Sequence, residues 1–233
     1  MAVTRKADLG ALSRLSSFPA IGENAQAELV RAARSYAAAL WWANEDPNQS
    51  WLQLVTAAET AAKCRHLLTG EPVDLLREHW PEMWDAVQSA DDDAKTQIAE
   101  LLAEQMKATR RFVDFVEQCA PDPPDARPEF AQVDWSKMRK HASVVYGHRS
   151  KALHEGKPFP MPMLEEPKLD GRSVVQEIPF GLNAGGLGGV WKASETPMLL
   201  SAFEYIVRGA LLRWWDELAT TAQAESKTLE PQE

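Results

Sequence analysis

The sequence has little cysteine and no long apolar run, and these two absences narrow the class of protein. Only Cys64 and Cys119 occur, each within a helical pattern, so they form neither a disulfide framework nor a cysteine zinc site. No stretch reaches the roughly 18 apolar residues of a membrane-spanning helix, and the first residues lack an apolar stretch of signal length. We therefore expect a cytoplasmic protein without membrane contact, in which both cysteines are core thiols.

Several chemical signatures are missing as well. The five histidines include no His-x-x-x-His pair with an acid between them, and no Gly-x-Ser-x-Gly elbow occurs. The glycine-rich run at 185–189 lacks the Gly-Lys-Ser/Thr ending of a phosphate-binding loop, so we interpret it as a flexible segment. The acidic run 91–93 opens a predicted helix, where negative charge complements the helix dipole, which favours a cap over a metal site. We expect no metal and no cofactor.

The remaining composition is typical of a globular protein. Of 233 residues, 45% are apolar and 25% are charged, which is enough for one well-buried core. The net charge of −9 argues against a surface covered in basic charge for nonspecific nucleic-acid binding. Residues 136–157 are a local exception, with a net charge of +5 before any histidine is protonated. This basic segment is either a solvated cationic face or a site for an anionic partner. Its cations are Lys137, Arg139, Lys140, Arg149, Lys151 and Lys157.

Helix signals recur along most of the chain, and they predict an all-α fold. Residues 1–23 form a lead-in that is irregular or one short helix, and residues 24–221 form a single helical domain. Asp46 and Pro47 are typical of a helix start, and Pro81 interrupts a shorter helical segment. The predicted helices cover residues 25–44, 47–68, 72–90, 91–119 and 134–155, with a last helix from Thr196-Pro197.

Two parts of the chain lack a helical pattern. Prolines and glycines between residues 156 and 195 predict a long irregular loop before the last helix. This loop is either an ordered cover or a mobile segment, and residues 174–178 favour a short strand within it. The tail at 222–233 is expected to be disordered.

The segment from residue 133 to 160 carries the only arrangement that suggests chemistry. Asp134 or Ser136 can cap a helix start, and Gly156 followed by Pro158 is typical of a helix stop. His154 should therefore lie in the last turn of this helix. Six side chains share one arc of it, namely Met138, Ala142, Val145, Arg149, Ala152 and Leu153.

An arginine on an apolar arc requires a partner, because an unpaired buried cation is too costly to keep. Arg149 must therefore meet an acid, a phosphate or another subunit. Glu59 is our preferred partner, since the alanines around it allow a neighbouring helix to approach closely. The alternative is that Glu59 is exposed and pairs locally with Lys63, four residues away.

Arg149 and His154 point about 140° apart on one straight helix, so one small ligand is not easily gripped by both. Two copies of the helix related by a two-fold axis would bring both pairs to one cleft, which predicts a homodimer. Tyr146, Ser150 and His154 form a polar stripe at spacing four beside this arc.

The order of these residues resembles a known family. Arg149-x-x-x-x-His154 at a helix end, preceded by Tyr146, resembles the motif of the HEPN superfamily, and most closely its abortive-infection and ApeA-like branch. Two further stretches carry the resemblance, which spans residues 30–218. They are Ala39-Leu40-Trp41 through Asp46-Pro47 to Glu59, and Trp191 with Thr196-Pro197.

The resemblance implies a HEPN-like antiparallel helical bundle that dimerises and cuts RNA without metal. It implies Arg149 and His154 as catalytic residues, and a defence or toxin effector of abortive infection with an antitoxin or regulatory protein as a further partner. Subgroups silenced by a nucleotidyltransferase carry a tyrosine where this chain has Gly156, so that mode of control is not expected. Supporting roles are expected for Tyr146, His148, Ser150, Lys151 and Glu59.

The implied reaction agrees with the chemistry of the two side chains. RNA is cleaved without metal when its own 2′-hydroxyl attacks the adjacent phosphate, a histidine moves the proton and an arginine stabilises the developing charge. The competing hypothesis is a catalytically silent helical module, in which Arg149 pairs with Glu59 for structure and the basic face binds RNA or another protein.

Overall fold

The fold is all-α, as the sequence predicts. The computed structural model describes residues 9–65, 72–79, 81–89, 91–179 and 190–228. A 3-10 segment, Leu9–Ala20, precedes the first helix, within the predicted lead-in. The helices are α1 (Glu23–Trp42), α2 (Pro47–Arg65), α3 (Pro72–His79), α4 (Pro81–Val87), α5 (Asp92–Cys119), α6 (Met138–Glu155) and α7 (Leu200–Thr228).

Helix α2 lies at the centre of the main core. The Asp46 carboxylate accepts the N–H of Gln49 at 3.0 Å, and Pro47 occupies the first position, so the start follows the sequence signal. Small residues then allow α1, α5, α6 and α7 to approach α2 closely. They are the fully buried Ala57, Ala58, Ala61 and Ala62.

Aromatic rings fill the space between α2, α7 and the segment after α6. The indole of Trp51 stacks on Phe203 of α7, with ring centroids 4.7 Å apart, and on Phe159 at 5.1 Å. Its Nε1–H donates to the carbonyl of Met163. Because all three rings are buried, this stack fixes the residues that follow α6 against the core.

A smaller buried cluster lies apart from this core. Leu76 of α3 and Ala99 of α5 are fully buried there, with Trp84 of α4 packed against them. Pro81 separates α3 from α4 as predicted, because proline lacks the N–H that would continue the helix. Asp91 caps α5 through the N–H of Ala94 at 2.8 Å, which confirms its role as a cap.

Helix α6 carries the motif and packs against α5 and α2. Asp134 caps a short 3-10 turn, Trp135–Lys137, that leads directly into α6. Gly156 ends α6 in the left-handed region at φ 65°, which glycine adopts without the cost that a Cβ imposes. His154 therefore lies in the last turn, as predicted. Arg139 contacts the end of α5 while Tyr146 contacts Phe112 further back, so the two helices run antiparallel.

The described part of the irregular loop is an ordered cover. Phe159 and Met163 are buried, and the N–H of Phe159 donates to Asn48 of α2. Glu177 is also buried, where its carboxylate accepts from the Arg127 guanidinium at 2.8 Å and from the N–H of Val133 at 2.7 Å. The glycine-rich run 185–189 lies outside the described residues.

Two details of this region differ from the prediction. The strand expected at 174–178 is absent, because a tight turn at Asp170–Ser173 leaves only one bridge, between Leu169 and Val175. The last helix begins at Leu200 instead of Thr196, since residues 196–199 follow a 3-10 turn, Ala193–Glu195, without regular structure. Residues 222–228 of the predicted disordered tail are helical, because α7 continues to Thr228, and residues 229–233 lie outside the described residues.

Helix α7 packs unusually close to the end of α5. A Cβ on Gly209 would lie 2.5 Å from the ring of Pro121, so only glycine fits this contact. None of the described helices is both long and apolar enough to cross a membrane.

Candidate functional site

The motif arginine is held by an acid of a neighbouring helix. Arg149 donates from its Nη2 to Oε2 of Glu59 on α2, across 2.8 Å. Both side chains are mostly enclosed, with 21% of Arg149 and 22% of Glu59 exposed. The structure therefore shows the Arg149–Glu59 pair that we preferred from the sequence, and Glu59 uses its carboxylate across the helix interface instead of along α2.

Tyr146 completes this arrangement from the preceding turn of α6. Its hydroxyl donates to Oε1 of Glu59 at 2.9 Å, so each carboxylate oxygen accepts one donor. The Arg149 guanidinium lies over the Tyr146 ring, 5.4 Å from its centroid. Burial, reinforced by the charge of Glu59, raises the pKa of Tyr146 well above its usual range, so the hydroxyl stays protonated and remains a donor. We call Glu59, Tyr146 and Arg149 the Glu59 cluster.

The Glu59 cluster makes the position of the guanidinium well defined. An ion pair in a partly dry environment adds little net stability, because desolvation offsets most of the attraction. Removing one partner is costly, however, since it leaves the other charge enclosed and unpaired. The cluster therefore orients Arg149 more than it strengthens the fold.

His154 lies away from this cluster. Its side chain is exposed in the last turn of α6, and it forms no hydrogen bond or ion pair with the described part of the chain. Within one molecule the helix keeps it about 140° around the axis from Arg149. The structure thus does not bring the two predicted catalytic residues into one site within a single chain.

His148 points to a third side of α6, where it is hydrogen-bonded to the segment before the last helix. Its Nε2 lies 2.6 Å from the carbonyl oxygen of Glu195, which can only accept, so Nε2 carries the proton. Burial lowers the pKa of His148, against the opposing effect of this hydrogen bond, and favours the neutral ring. Of the other supporting residues, Ser150 is half-buried and Lys151 is exposed.

Four of the six cations in the basic segment form ion pairs, and for Arg139 and Arg149 the acids are distant in sequence. Arg139 pairs with Asp114 at 2.7 Å and with Glu117 at 2.8 Å, both on α5. Lys137 pairs with Asp134, and Lys157 with Glu155. With Arg149 held by Glu59, only Lys140 and Lys151 of the six cations form no ion pair with an acid among the described residues. The net charge read along the segment therefore overstates its free positive charge.

Comparison of the chain with protein-family models, with curated proteins and with solved structures gives no match. Within the described ranges, no three histidine, cysteine or acidic side chains lie close enough to hold a metal ion.

Sequence reasoning missed a cleft beside α6. Its volume is about 470 Å³, and it lies between α6, the residues that follow Gly156, and the segment before the last helix. No sequence spacing predicts that these three segments lie together. The available signals were Trp191, an aromatic residue, and Lys157, a cation, each within irregular sequence. The cleft is lined by His148, Lys151, Lys157 to Met161, Val190, Trp191 and Glu195.

The predicted apolar arc of α6 is buried along only part of its length. Leu153 is 54% exposed, whereas Met138, Ala142 and Val145 of the same arc are buried. The apolar arc thus continues past the buried part of α6 onto its exposed last turn.

Proposed function

We propose that the protein is a metal-independent endoribonuclease of the HEPN type that acts as a homodimer. The observation that carries this proposal is the Glu59 cluster, which fixes a guanidinium beside the end of a helix whose last turn presents a free histidine. The proposal includes a cytoplasmic role as a defence or toxin effector, regulated by an antitoxin or another protein.

The reaction uses groups that the chain supplies. The 2′-hydroxyl attacks the adjacent phosphorus, the bond from phosphorus to the 5′-oxygen breaks, and the products end in a 2′,3′-cyclic phosphate and a 5′-hydroxyl. His154 takes the proton from the 2′-hydroxyl, and the partner's His154 gives one to the leaving 5′-oxygen. Arg149 stabilises the charge that develops on the phosphate oxygens, with the N–H groups that Glu59 leaves free.

The directions of the side chains on α6 support the proposed dimer. Because Arg149 and His154 point about 140° apart, one chain alone does not offer both to the same phosphate. Leu153, exposed one turn beyond Arg149, provides an apolar surface that a second copy of α6 would cover. A two-fold axis near this turn would then bring two arginines and two histidines together.

A second candidate function is favoured by a different observation. Arg149 is already neutralised by Glu59, and His154 has no partner within the described chain to orient its ring, as activating bases usually have. Both features fit a catalytically silent helical module that binds RNA or protein.

The deciding experiment incubates the purified protein with structured RNAs in excess EDTA. We expect cleavage products with 2′,3′-cyclic phosphate ends, and loss of cleavage in His154→Ala. The matched control is His141→Ala, which removes a half-buried histidine of the same helix. Circular dichroism checks that both variants fold.

Two outcomes separate the candidates. RNA left intact at all conditions, including with candidate activating proteins, would favour the silent module. Light scattering tests the dimer separately, since a monomer that cleaves RNA at full specific activity would contradict the shared site.

A further inference from the structure

The cleft beside α6 has the size and the lining of a small-molecule site. Its volume of about 470 Å³ falls in the range of pockets that enclose small ligands. It lies on a different side of α6 from the Glu59 cluster, because His148 and Arg149 are successive residues and point about 100° apart.

One wall of the cleft is aromatic and apolar. Trp191 is half-buried, so part of its indole is accessible, and Met161 is 39% exposed beside it. Phe159 forms the floor and is held by its stack on Trp51 in the core. A partly exposed tryptophan in the lining of a cleft is the kind of surface on which a nucleobase stacks.

The rim of the cleft is positive. Lys151 is exposed and forms no ion pair with the described residues, although the charge of Glu155 lies near it. Lys157 pairs with the same exposed Glu155 at the surface. Such a surface pair is weak, so Lys157 can exchange its partner for a phosphate. Glu195 is the one acid of the lining; its carboxylate accepts the N–H of Lys192 at 2.7 Å and keeps its negative charge, so the two lysines outnumber it.

His148 ties this lining together. Its bond to the carbonyl of Glu195 links α6 to the turn that follows Trp191, so the two sides of the cleft have a fixed separation. With its proton on Nε2, the ring presents Nδ1 as an acceptor and carries no charge of its own.

We propose that this cleft binds one nucleotide unit, with the base against Trp191 and the phosphate at Lys151 and Lys157. The inference deepens the proposed ribonuclease function and rests on it for the identity of the ligand as RNA. Lys151 lies three residues before His154, about 4.5 Å along the axis and on a neighbouring part of the helix surface. A strand with its scissile phosphate at His154 would therefore pass Lys151 and place an adjacent nucleotide in the cleft.

The test measures binding of a short labelled single-stranded RNA by fluorescence anisotropy. The parent protein is His154→Ala, which keeps the RNA intact during the titration. In this background we expect Trp191→Ala to weaken binding about tenfold through lost stacking. Lys151→Glu should weaken it by a similar factor and make it less dependent on salt.

Two matched controls keep the result specific. Trp41→Ala removes an indole of α1 that is 77% exposed and does not line the cleft. Lys140→Glu reverses an exposed lysine of α6 that lies about 16 Å along the axis from Lys151. We expect both controls to bind within about twofold of the parent, because neither belongs to the lining.

Free mononucleotides form the second arm of the test. Competition by a mononucleotide with the labelled RNA in the parent, but not in Trp191→Ala, would support a site for the nucleotide unit itself. RNA binding that depends on Trp191 but is not competed by a mononucleotide would support the same site, with a nucleotide of an RNA strand as its ligand.

The outcomes for the cleft and for catalysis are distinguishable. Equal RNA binding by the parent, Trp191→Ala and Lys151→Glu would overturn the cleft proposal even if the wild-type protein cleaves RNA. No measurable binding of RNA or mononucleotide by the parent would overturn it as well. Binding that depends on Trp191 and Lys151, in a protein that never cleaves RNA, would support the cleft and contradict the proposed nuclease. Because Lys151 is exposed, its variant tests the site without disturbing the core.

Discussion

The two sides of α6 differ in how firmly the molecule holds their polar groups. On the side that faces α2, Tyr146 and Arg149 both donate to Glu59 and are largely enclosed. On the opposite side, Lys151 and His154 are exposed and form no hydrogen bond or ion pair with the described residues. One helix thus carries an arginine whose position is set by contacts within the chain, and a histidine whose ring is held by no hydrogen bond to the described residues.

The two sides of α6 should differ most when the RNA cleavage rate and the free energy of unfolding are measured in the same variants. His154→Ala should lower the RNA cleavage rate by about 10²–10⁴-fold. Its free energy of unfolding should change by less than about 0.5 kcal/mol, because the side chain is exposed. Arg149→Ala should lower both quantities, since it leaves Glu59 enclosed without its cation. Single-turnover cleavage and urea denaturation measure the two effects, and equal destabilisation by both variants would contradict the comparison.

Removing the acid of the Glu59 cluster should have the largest effect on stability alone. Glu59→Ala leaves Arg149 and Tyr146 without their acceptor, which should lower the free energy of unfolding by about 2–3 kcal/mol. The control is Glu155→Ala, which removes an exposed acid at the end of α6 and should cost less than about 0.5 kcal/mol. Similar urea midpoints for the two variants would show that the cluster is not a distinct part of the structure.

Removal of one hydroxyl should have a smaller effect. Tyr146→Phe keeps the ring and its contact with Phe112 but deletes the bond to Glu59, for a loss of about 1 kcal/mol. Tyr205→Phe is the matched control, because that hydroxyl donates to the carbonyl of Asp122 at the exposed surface. Thermal denaturation of both variants measures the difference, and a larger loss for Tyr205→Phe would be opposite to this expectation.

The smallest expected effect is the pH dependence of stability that comes from His148, on the cleft side of α6. Burial lowers the pKa of His148, so the unfolded chain takes up this proton at a higher pH than the folded chain does. The unfolded state therefore binds more protons below the usual pKa of about 6.5, and stability falls as the pH decreases from 7 toward 5. His148→Gln should reduce this loss in urea titrations at both pH values.

His141 provides the internal comparison for the pH experiment. Burial lowers its pKa as well, so it contributes a pH dependence of the same sign from the other end of α6. His141→Gln should therefore also reduce the loss, and the double variant should reduce it further. A dependence on pH that is unchanged in both single variants would contradict burial as the cause.

Local chemistry made much of the helical framework predictable. The start of α2 at Pro47, the cap of α5 at Asp91, the break at Pro81 and the end of α6 at Gly156 each depend on groups a few residues apart. Hydrogen bonds at helix ends join near neighbours in the chain, so a pattern of residue types is enough to locate them. Leu200 was missed as a start because Thr196-Pro197 imitates the same local signal.

Which charged groups pair with one another could be decided only from the tertiary structure. From the sequence, Glu59 had two equally reasonable cations, and packing of α2 against α6 selected Arg149. Asp114 and Glu117 neutralise Arg139 because α5 runs antiparallel to α6, a relation that spacing within either helix does not contain. Helical periodicity placed Leu153 correctly on the apolar arc. It predicts the direction of a side chain around the helix, but it does not predict how far along the helix the neighbouring segments extend and bury that arc.

Residue order along the chain therefore determined where α6 begins and ends and which side chains share each of its sides. The packing of distant segments decided which of those side chains are enclosed, paired or left open, since desolvation and ion pairing depend on distances between atoms and not on separation along the chain. The cleft at Trp191 shows this most clearly, because the hydrogen bond between His148 and the carbonyl of Glu195 joins residues that are far apart in sequence.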